Sequence, residues 1–258
     1  MVESPRVVER FLDSLASSSP VGNGESLLVD PERAPGLAER GLALGMTVFE
    51  SDERLMNDLS GYHFHGGALA LGRRSPEPRP LEELLDPPPD LDSPRRLFIA
   101  LEGITSMDNM GSIFRSVAAL GAHGVILDPA CSDPLLRRCL RISMGQVFRV
   151  PWTVSDRLPE VLARIEGRDG FRSIALENLP DAPRLGSDAP EDLAGTTILV
   201  VGNEGHGLSS STIEACEAVR RIEGPADLPP TEQPGGEDER SLNASIAAAI
   251  AMHAILTV

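Results

Sequence analysis

The chain of 258 residues contains no lysine; all 23 of its basic residues are arginine. That absence excludes the phosphate-gripping lysine of a P-loop and Schiff-base chemistry on a lysine amine. Cysteine is scarce: Cys131, Cys139 and Cys216 are odd in number and show no C-x-x-C spacing. They read as reduced thiols in or near the core, and no metal site is expected from them. No apolar run reaches the roughly 18 residues of a membrane span. The N-terminus has no basic segment leading into an apolar core, so no secretory signal is expected and the chain reads as cytoplasmic.

What is abundant is acid. There are 39 acidic residues against 23 arginines, a net charge of −16. Nucleic-acid partners usually leave a basic footprint, so the total speaks against one. The distribution is uneven, however. From Gly103 to Arg157 six arginines face five acids, counting the boundary Glu102. Two stretches are Pro-rich, residues 73–96 with seven prolines and residues 225–240 with four prolines, two glycines and five acids. The first reads as a semi-rigid linker and the second as a segment with no packed core of its own.

These stretches suggest the division of the chain. Residues 1–72 read as a small α/β unit. Arg6 to Leu15 carries Val7, Val8, Phe11, Leu12 and Leu15 on one side of a helix, and Pro31–Arg40 and Glu53–Leu59 are further helices. Strands are expected at Ser26–Val29, Met46–Phe49 and Gly67–Leu71, giving βαβ units. His63 and His65 alternate with Phe64 and would share one face of a strand, able to touch RNA or a metal, although no further ligand completes a metal set. Residues 73–96 form the linker, with Leu81 to Leu85 a short helical turn.

Residues 97–258 read as a parallel α/β domain. Leu97–Leu101 is a buried strand, and from Gly111 onward Ile113, Phe114, Val117 and Ala118 have helical spacing that ends near Gly121. Asn109 suits the N-cap of that helix, and Arg115 is a solvated or salt-bridged arginine on spacing alone. Val125–Leu127, Val147–Val150, Ser173–Leu176 and Val219–Ile222 read as strands. Pro134–Met144 and Leu158–Ile165 read as helices, the former clustering Arg137, Arg138 and Arg141, which can hold phosphates or balance acid.

The stretch TTILVVGNEGHGLS, residues 196–209, is the focus. An apolar run closed by glycine reads as a buried strand, followed by a loop holding Gly202, Glu204, Gly205 and Gly207. Its spacing is G-x-x-G-x-G, not the G-x-G-x-x-G of a dinucleotide site, which disfavours a Rossmann-type dehydrogenase. Ser211 and Glu214 have capping-box spacing and should open a helix, so the loop lies at the carboxyl end of a strand, where open α/β sheets bind ligands. Ala244 to Leu256 is apolar nearly all round, the mark of a buried helix, with Ser241 and Asn243 at its start.

Three polar sites thus precede or open buried elements, and together they resemble a known family. DNMGSIFR, ILVVGNEGHGLS and SLNASIAAAIA are similar, in order and approximate spacing, to the three motifs of the SpoU (TrmH-like) RNA ribose 2′-O-methyltransferases of the SPOUT superfamily. RISMGQVFRVPW resembles the segment that follows their first motif, and residues 1–72 loosely resemble the small RNA-binding domain that often precedes the catalytic one. The resemblance implies a parallel-sheet domain with a C-terminal trefoil knot, S-adenosylmethionine as cofactor, tRNA or rRNA as substrate, and a homodimer through the C-terminal domain. It implies a catalytic set of Asn109, Arg115, Glu204 and Asn243. It implies a cofactor pocket at Val201, Gly202, Asn203, Gly207, Ile222, Ser241, Leu242 and Ser245. Arginine is a poor general base because its pKa exceeds about 12, so Arg115 is assigned to gripping the phosphate beside the target ribose with its planar fork. Whether Arg115 or the substrate phosphate takes the proton stays open. A non-catalytic RNA-binding protein that kept the fold is the alternative. The chain departs from the family in its overall acidity, in a short or missing first strand, and in residues 225–240, which lengthen the connection from Ile222 to Leu242.

Overall fold

The computed structural model describes residues 1–16, 22–60, 66–75, 78–86, 95–155, 157–165, 167–186, 195–222 and 242–257. His63, His65, Ser241 and the stretch 225–240 lie outside the described residues. The N-terminal unit is built on α1 (Pro5–Ala16), whose Val7, Val8, Phe11 and Leu12 are buried on one side, as their spacing predicts. It covers a sheet of four strands, β1 (Val2–Glu3), β2 (Gly24–Val29), β3 (Thr47–Glu50) and β4 (Ala68–Gly72), in the order β1-β4-β2-β3. β2 and β3 are parallel and joined through α2 (Leu37–Ala43), the expected βαβ unit, while β4 runs antiparallel to both β1 and β2. The first strand is indeed short. α2 begins at Leu37 instead of Pro31. Asp30 Oδ1 accepts from the backbone N–H of Glu32 at 3.0 Å and of Arg33 at 3.3 Å, a side-chain turn that competes with helix, and Pro35 disfavours helical backbone in the residue before it. α3 (Glu53–Ser60) follows β3.

The larger sheet has six parallel strands, β5 (Arg95–Leu101), β6 (Gly124–Leu127), β7 (Trp152–Val154), β8 (Phe171–Leu176), β9 (Gly195–Val201) and β10 (Ala218–Arg220), in the order β10-β8-β9-β5-β6-β7. Parallel sheets are covered on both faces, and the period-two alternation assigns the layers. Leu97, Ile99 and Leu101 of β5 join Leu199 and Val201 of β9 in the cluster with α5 (Met107–Leu120) and α9 (Ala244–Thr257). Phe98, Ala100, Ile198 and Val200 point the other way, into a cluster with α4 (Leu81–Leu85), α7 (Leu158–Ile165) and Leu208. The Pro-rich stretch therefore supplies core: Leu81, Leu84 and Leu85 are buried under β5 and β6.

Several elements differ from their sequence reading. α5 starts at Met107, not Gly111, because Ser106 is the N-cap and its hydroxyl accepts from the Asn109 N–H. It ends as expected, with Gly121 left-handed at φ 82° and its N–H bonded to Val117 O. The helix expected over Pro134–Met144 contracts to α6 (Arg137–Ile142). The strand expected at Val147–Val150 is absent; Gln146–Phe148 forms a 3₁₀ turn and the strand lies later, at β7. Met144 and Gly145, with φ 54° and 78°, break the extended backbone. The apolar residues after them pack across the two units instead, with the Phe148 ring 5.4 Å from the Phe11 ring of α1. One continuous hydrophobic cluster therefore runs from α1 to α5. Truncating the fully buried Phe11 at this seam to alanine would cost about 3–5 kcal/mol. No described helix is long and apolar enough to cross a membrane.

Candidate active site

β9 ends at Val201 and delivers the glycine loop to the carboxyl edge of the sheet, beside the ends of β5 and β8. The loop closes on itself: Gly207 N–H donates to Asn203 O at 2.8 Å, and Asn203 Oδ1 accepts from Gly205 N–H at 2.8 Å. Asn203 Nδ2 also donates to Gly103 O at 2.8 Å, tying the loop to the end of β5. Gly202 is required by close approach, since a Cβ there would lie 2.4 Å from the Gly207 carbonyl carbon. Gly207 is left-handed at φ 65°, and a Cβ on it would lie 2.5 Å from Glu177 Oε2. That carboxylate, from the end of β8, accepts from Leu208 N–H at 2.8 Å.

The helix after the loop, α8 (Ser210–Glu214), is capped by Ser209, not Ser211. Glu102, at the end of β5, explains the shift. Its carboxylate accepts from the Ser209 N–H and hydroxyl, both at 2.8 Å, and from the Thr212 hydroxyl at 2.6 Å.

The three motifs meet on one amide. Asn243 Oδ1 caps α9, accepting from Ser245 N–H at 3.0 Å, the Ser245 hydroxyl at 2.7 Å and Ile246 N–H at 3.4 Å. Its Nδ2 donates to Asn109 Oδ1 at 2.9 Å and to Glu204 Oε1 at 3.2 Å. Asn109 is buried in the first turn of α5, while Glu204 and Asn243 are exposed. A polar network with a buried acceptor at one end and a solvent-facing carboxylate at the other can orient a hydroxyl that arrives from solvent.

Beside this network is a cleft with a cavity volume of about 130 Å³. Among the residues expected to hold a cofactor, Val201, Gly202, Asn203, Gly207, Ile222 and Leu242 line it, and Glu204 stands on its wall. Ser245 instead serves the α9 cap. The sequence reading missed Leu176, Glu177 and Asn178, which enter from β8, and Ala244 and Ala247 of α9. The available signal was β8 itself: a buried strand neighbouring β9 ends at the same edge of the sheet.

Arg115 is not part of the network. Six residues on a helix are a rotation of about 240° and a rise of about 9 Å from Asn109. Its side chain is exposed, and among the described residues none accepts a hydrogen bond from it. The arginines of α6 stand beside acids of the chain. Arg137 Nη2 lies 2.9 Å from the buried Glu3 carboxylate and Arg141 Nε 4.0 Å from it. Arg138 grips Asp108 with two bonds of 2.6 Å, which hold that carboxyl below the usual range. None of the three thiols lines the cleft. Burial is the main cause that pushes Cys131 and Cys216 up to about 12 and Cys139 to about 11.

Comparison with known proteins gives this geometry a family. The profile of the SpoU rRNA Methylase family matches residues 96–253, which contain the sheet, the glycine loop and α5. An uncharacterised tRNA/rRNA methyltransferase of Mycobacterium bovis is 30% identical over 214 residues, 81% of this chain and 66% of that protein, so the match spans just under two thirds of the relative's length. The crystal structure of the SpoU methyltransferase AviRb from Streptomyces viridochromogenes in complex with AdoMet shares the fold. Its TM-score is 0.73 at 21% identity, over 98% of this chain and 88% of the other. The crystal structure of an RNA 2′-O ribose methyltransferase superposes with a TM-score of 0.66 at 28% identity, over 98% and 86%. A parallel sheet of this order, a glycine loop at its carboxyl edge and three motifs joined through Asn243 are what the profile match covers, and the chain belongs to the SpoU rRNA methylase family.

Proposed function

We propose that this protein transfers the methyl group of S-adenosylmethionine to a ribose 2′-hydroxyl of tRNA or rRNA. The observation that carries the proposal is the network of Asn109, Asn243 and Glu204 on the rim of the glycine-loop cleft. The residues of the cleft suit such a cofactor. Leu176, Ile222, Leu242 and Ala247 offer apolar surface for a purine, and the backbone around Gly202 and Gly207 is open to close approach. When bound, S-adenosylmethionine supplies a methyl group already activated by a sulfonium. What remains for the protein is positioning, which by itself can lower a barrier by about 7–11 kcal/mol. Glu204 and Asn243 orient the hydroxyl; Arg115 holds the neighbouring phosphate. Deprotonation falls to Arg115 or to that phosphate. A relative named as a tRNA/rRNA methyltransferase and a structure named as a 2′-O ribose methyltransferase support the substrate class.

The active form is a homodimer. α9 was expected to be buried all round, yet Leu242 just before it and Ile246 and Ile250 within it are 43%, 53% and 42% exposed, while Ala248, Ala251 and Met252 pack inward. An apolar stripe beside the site supports association through this helix. The knotted threading of the C-terminal segment and a small RNA-binding unit at residues 1–72 complete the reading. Three cysteines outside any disulfide and an RNA substrate support the reducing cytoplasm as the compartment. The intact network favours catalysis over a purely RNA-binding role. Incubation with unmodified tRNA and rRNA transcripts and methyl-labelled S-adenosylmethionine should yield 2′-O-methylnucleosides after nuclease digestion. Label on a base would refute the ribose assignment, and cofactor binding without transfer would establish the non-catalytic alternative.

A further inference from the structure

Four arginines converge where α1 meets the 3₁₀ turn at Gln146–Phe148. Arg6 and Arg10 stand one turn apart on α1, as i and i+4 neighbours. The Arg10 guanidinium donates to the carbonyl of Met144, whose left-handed backbone, φ 54°, presents it. Phe11, next to Arg10, packs on Phe148, and Arg149 follows Phe148 directly. Arg115 reaches the same place from the exposed side of α5. After burial, the charges of Arg6, Arg149 and Arg115 are the main causes that lower the pKa of Arg10. Arg6, Arg115 and Arg149 are all exposed, and among the described residues no carboxylate is bonded to any of them. Asp13, the acid that offsets part of the repulsion at Arg10, is held by Arg40 at 2.6 Å.

Several arginines elsewhere are neutralised. Arg33 is on Glu53, Arg73 on Glu25, Arg74 on Asp133, Arg137 on Glu3, Arg138 on Asp108 and Arg168 on Asp86. In a chain of net charge −16, four clustered guanidinium groups without an acid bonded to three of them repel one another until an anion arrives. We propose that Arg6, Arg10 and Arg149 extend Arg115 into a phosphate track that carries the RNA backbone from the N-terminal unit to the reacting ribose. The inference rests on the RNA methyltransferase reading above. It adds residues that the sequence pattern hid, since α1 and the 3₁₀ turn are brought together only by their shared core. The track also resolves the conflict between an acidic protein and a polyanionic substrate: the net charge repels RNA broadly, and one seam attracts it.

The test uses the full chain, fluorescently labelled unmodified tRNA and rRNA transcripts, and a salt titration of binding. Each phosphate contact contributes about 0.7–0.9 to the slope of log K against log[salt]. Arg6→Ala and Arg149→Ala should each lower the slope by about that amount and weaken binding roughly fivefold at 0.15 M salt. S-adenosylmethionine affinity and sedimentation should be unchanged. Arg6→Lys and Arg149→Lys, which keep the charge, should restore most of the slope, a rescue that a packing role would not predict. Arg168→Ala, at a residue paired with Asp86, is the control and should leave the slope unchanged. If the wild type methylates RNA and the alanine variants keep its slope, the track is refuted while the function stands. If they instead lose self-association, the occupant is the acidic surface of a second copy and the track is again refuted. A wild-type protein that binds no RNA overturns both readings.

Discussion

Asn243→Asp separates the two jobs of Asn243. The new carboxylate keeps the acceptor that caps α9, where Oδ1 now receives three bonds, and a negative charge at a helix N-terminus is favourable. It replaces the Nδ2 donor with an oxygen. Asn109 Oδ1, buried and 2.9 Å away, loses its donor, a cost of about 1–3 kcal/mol. Glu204 Oε1, 3.2 Å from Nδ2, then meets a like charge. Two charges at that distance repel by about 1.3 kcal/mol even in bulk-water dielectric. The sum is about 2–4 kcal/mol, less a few tenths gained at the cap, so melting at pH 8 should fall by roughly 4–16 °C, taking about 2–4 °C per kcal/mol for a protein of this size. The penalty has a sign in pH. Like-charge repulsion raises the folded-state pKa of the introduced carboxyl, so the folded protein binds the extra proton and the deficit shrinks as pH falls toward 4. Asn243→Ala, by contrast, loses the cap, about 1 kcal/mol, and leaves Asn109 unpaired at every pH. Thermal melts of both variants against wild type from pH 4 to 8, with methyl transfer measured in parallel, decide the matter. An Asp variant that melts with the wild type at pH 8, or whose deficit does not depend on pH, would refute the network. Methyl transfer should fall at least about a hundredfold, or about 2.7 kcal/mol.

Arg115→Lys keeps the charge and loses the fork, and is expected to keep cofactor affinity while single-turnover methylation drops at least about a hundredfold; full activity would remove Arg115 from the reaction. Gly202→Ala places a Cβ 2.4–2.6 Å from backbone atoms of Gly207 and Leu208, so calorimetry should show S-adenosylmethionine binding weakened about tenfold or more, together with about 1–3 kcal/mol of lost stability. Ile246→Glu, on the exposed stripe of α9, should turn the proposed dimer into a monomer in sedimentation without unfolding it. His123 accepts from the Leu97 N–H at 3.2 Å, and burial first and Arg96 second lower its pKa. The folded state therefore disfavours the proton, and the stability carried by neutral His123 is complete above the unfolded value near 6.5 and lost as pH falls below it. His123→Asn, which retains an acceptor, should flatten that part of the pH–stability curve.

The sequence by itself determined the elements whose signal is local and strongly periodic. The run Leu97–Leu101 could only be a strand covered on both faces, α7 matches Leu158–Ile165 residue for residue, and Gly121 ends α5 as a left-handed C-cap. The motif residues were legible only through the family resemblance of the three motifs, because on spacing alone Asn109 and Asn243 read as polar residues at helix starts and Glu204 as a loop residue. That they meet one another, through a single amide, only the tertiary structure decided, since they are 134 and 39 residues apart. The same holds for the misread parts. Val147 and Phe148 carry a strand's composition, but Phe11 of the other unit captures them. Arg137, Arg138 and Arg141 look like a phosphate site in the sequence, and only the fold shows that Glu3 and Asp108 stand beside them. Arg6 and Arg149 look ordinary until the chain folds them together. Periodicity reports which face of an element avoids water, and it carries no record of which distant side chain will lie across from that face. Ion pairs and hydrogen bonds act over a few ångströms, so which charges are neutralised and which are left for a partner is a property of the fold.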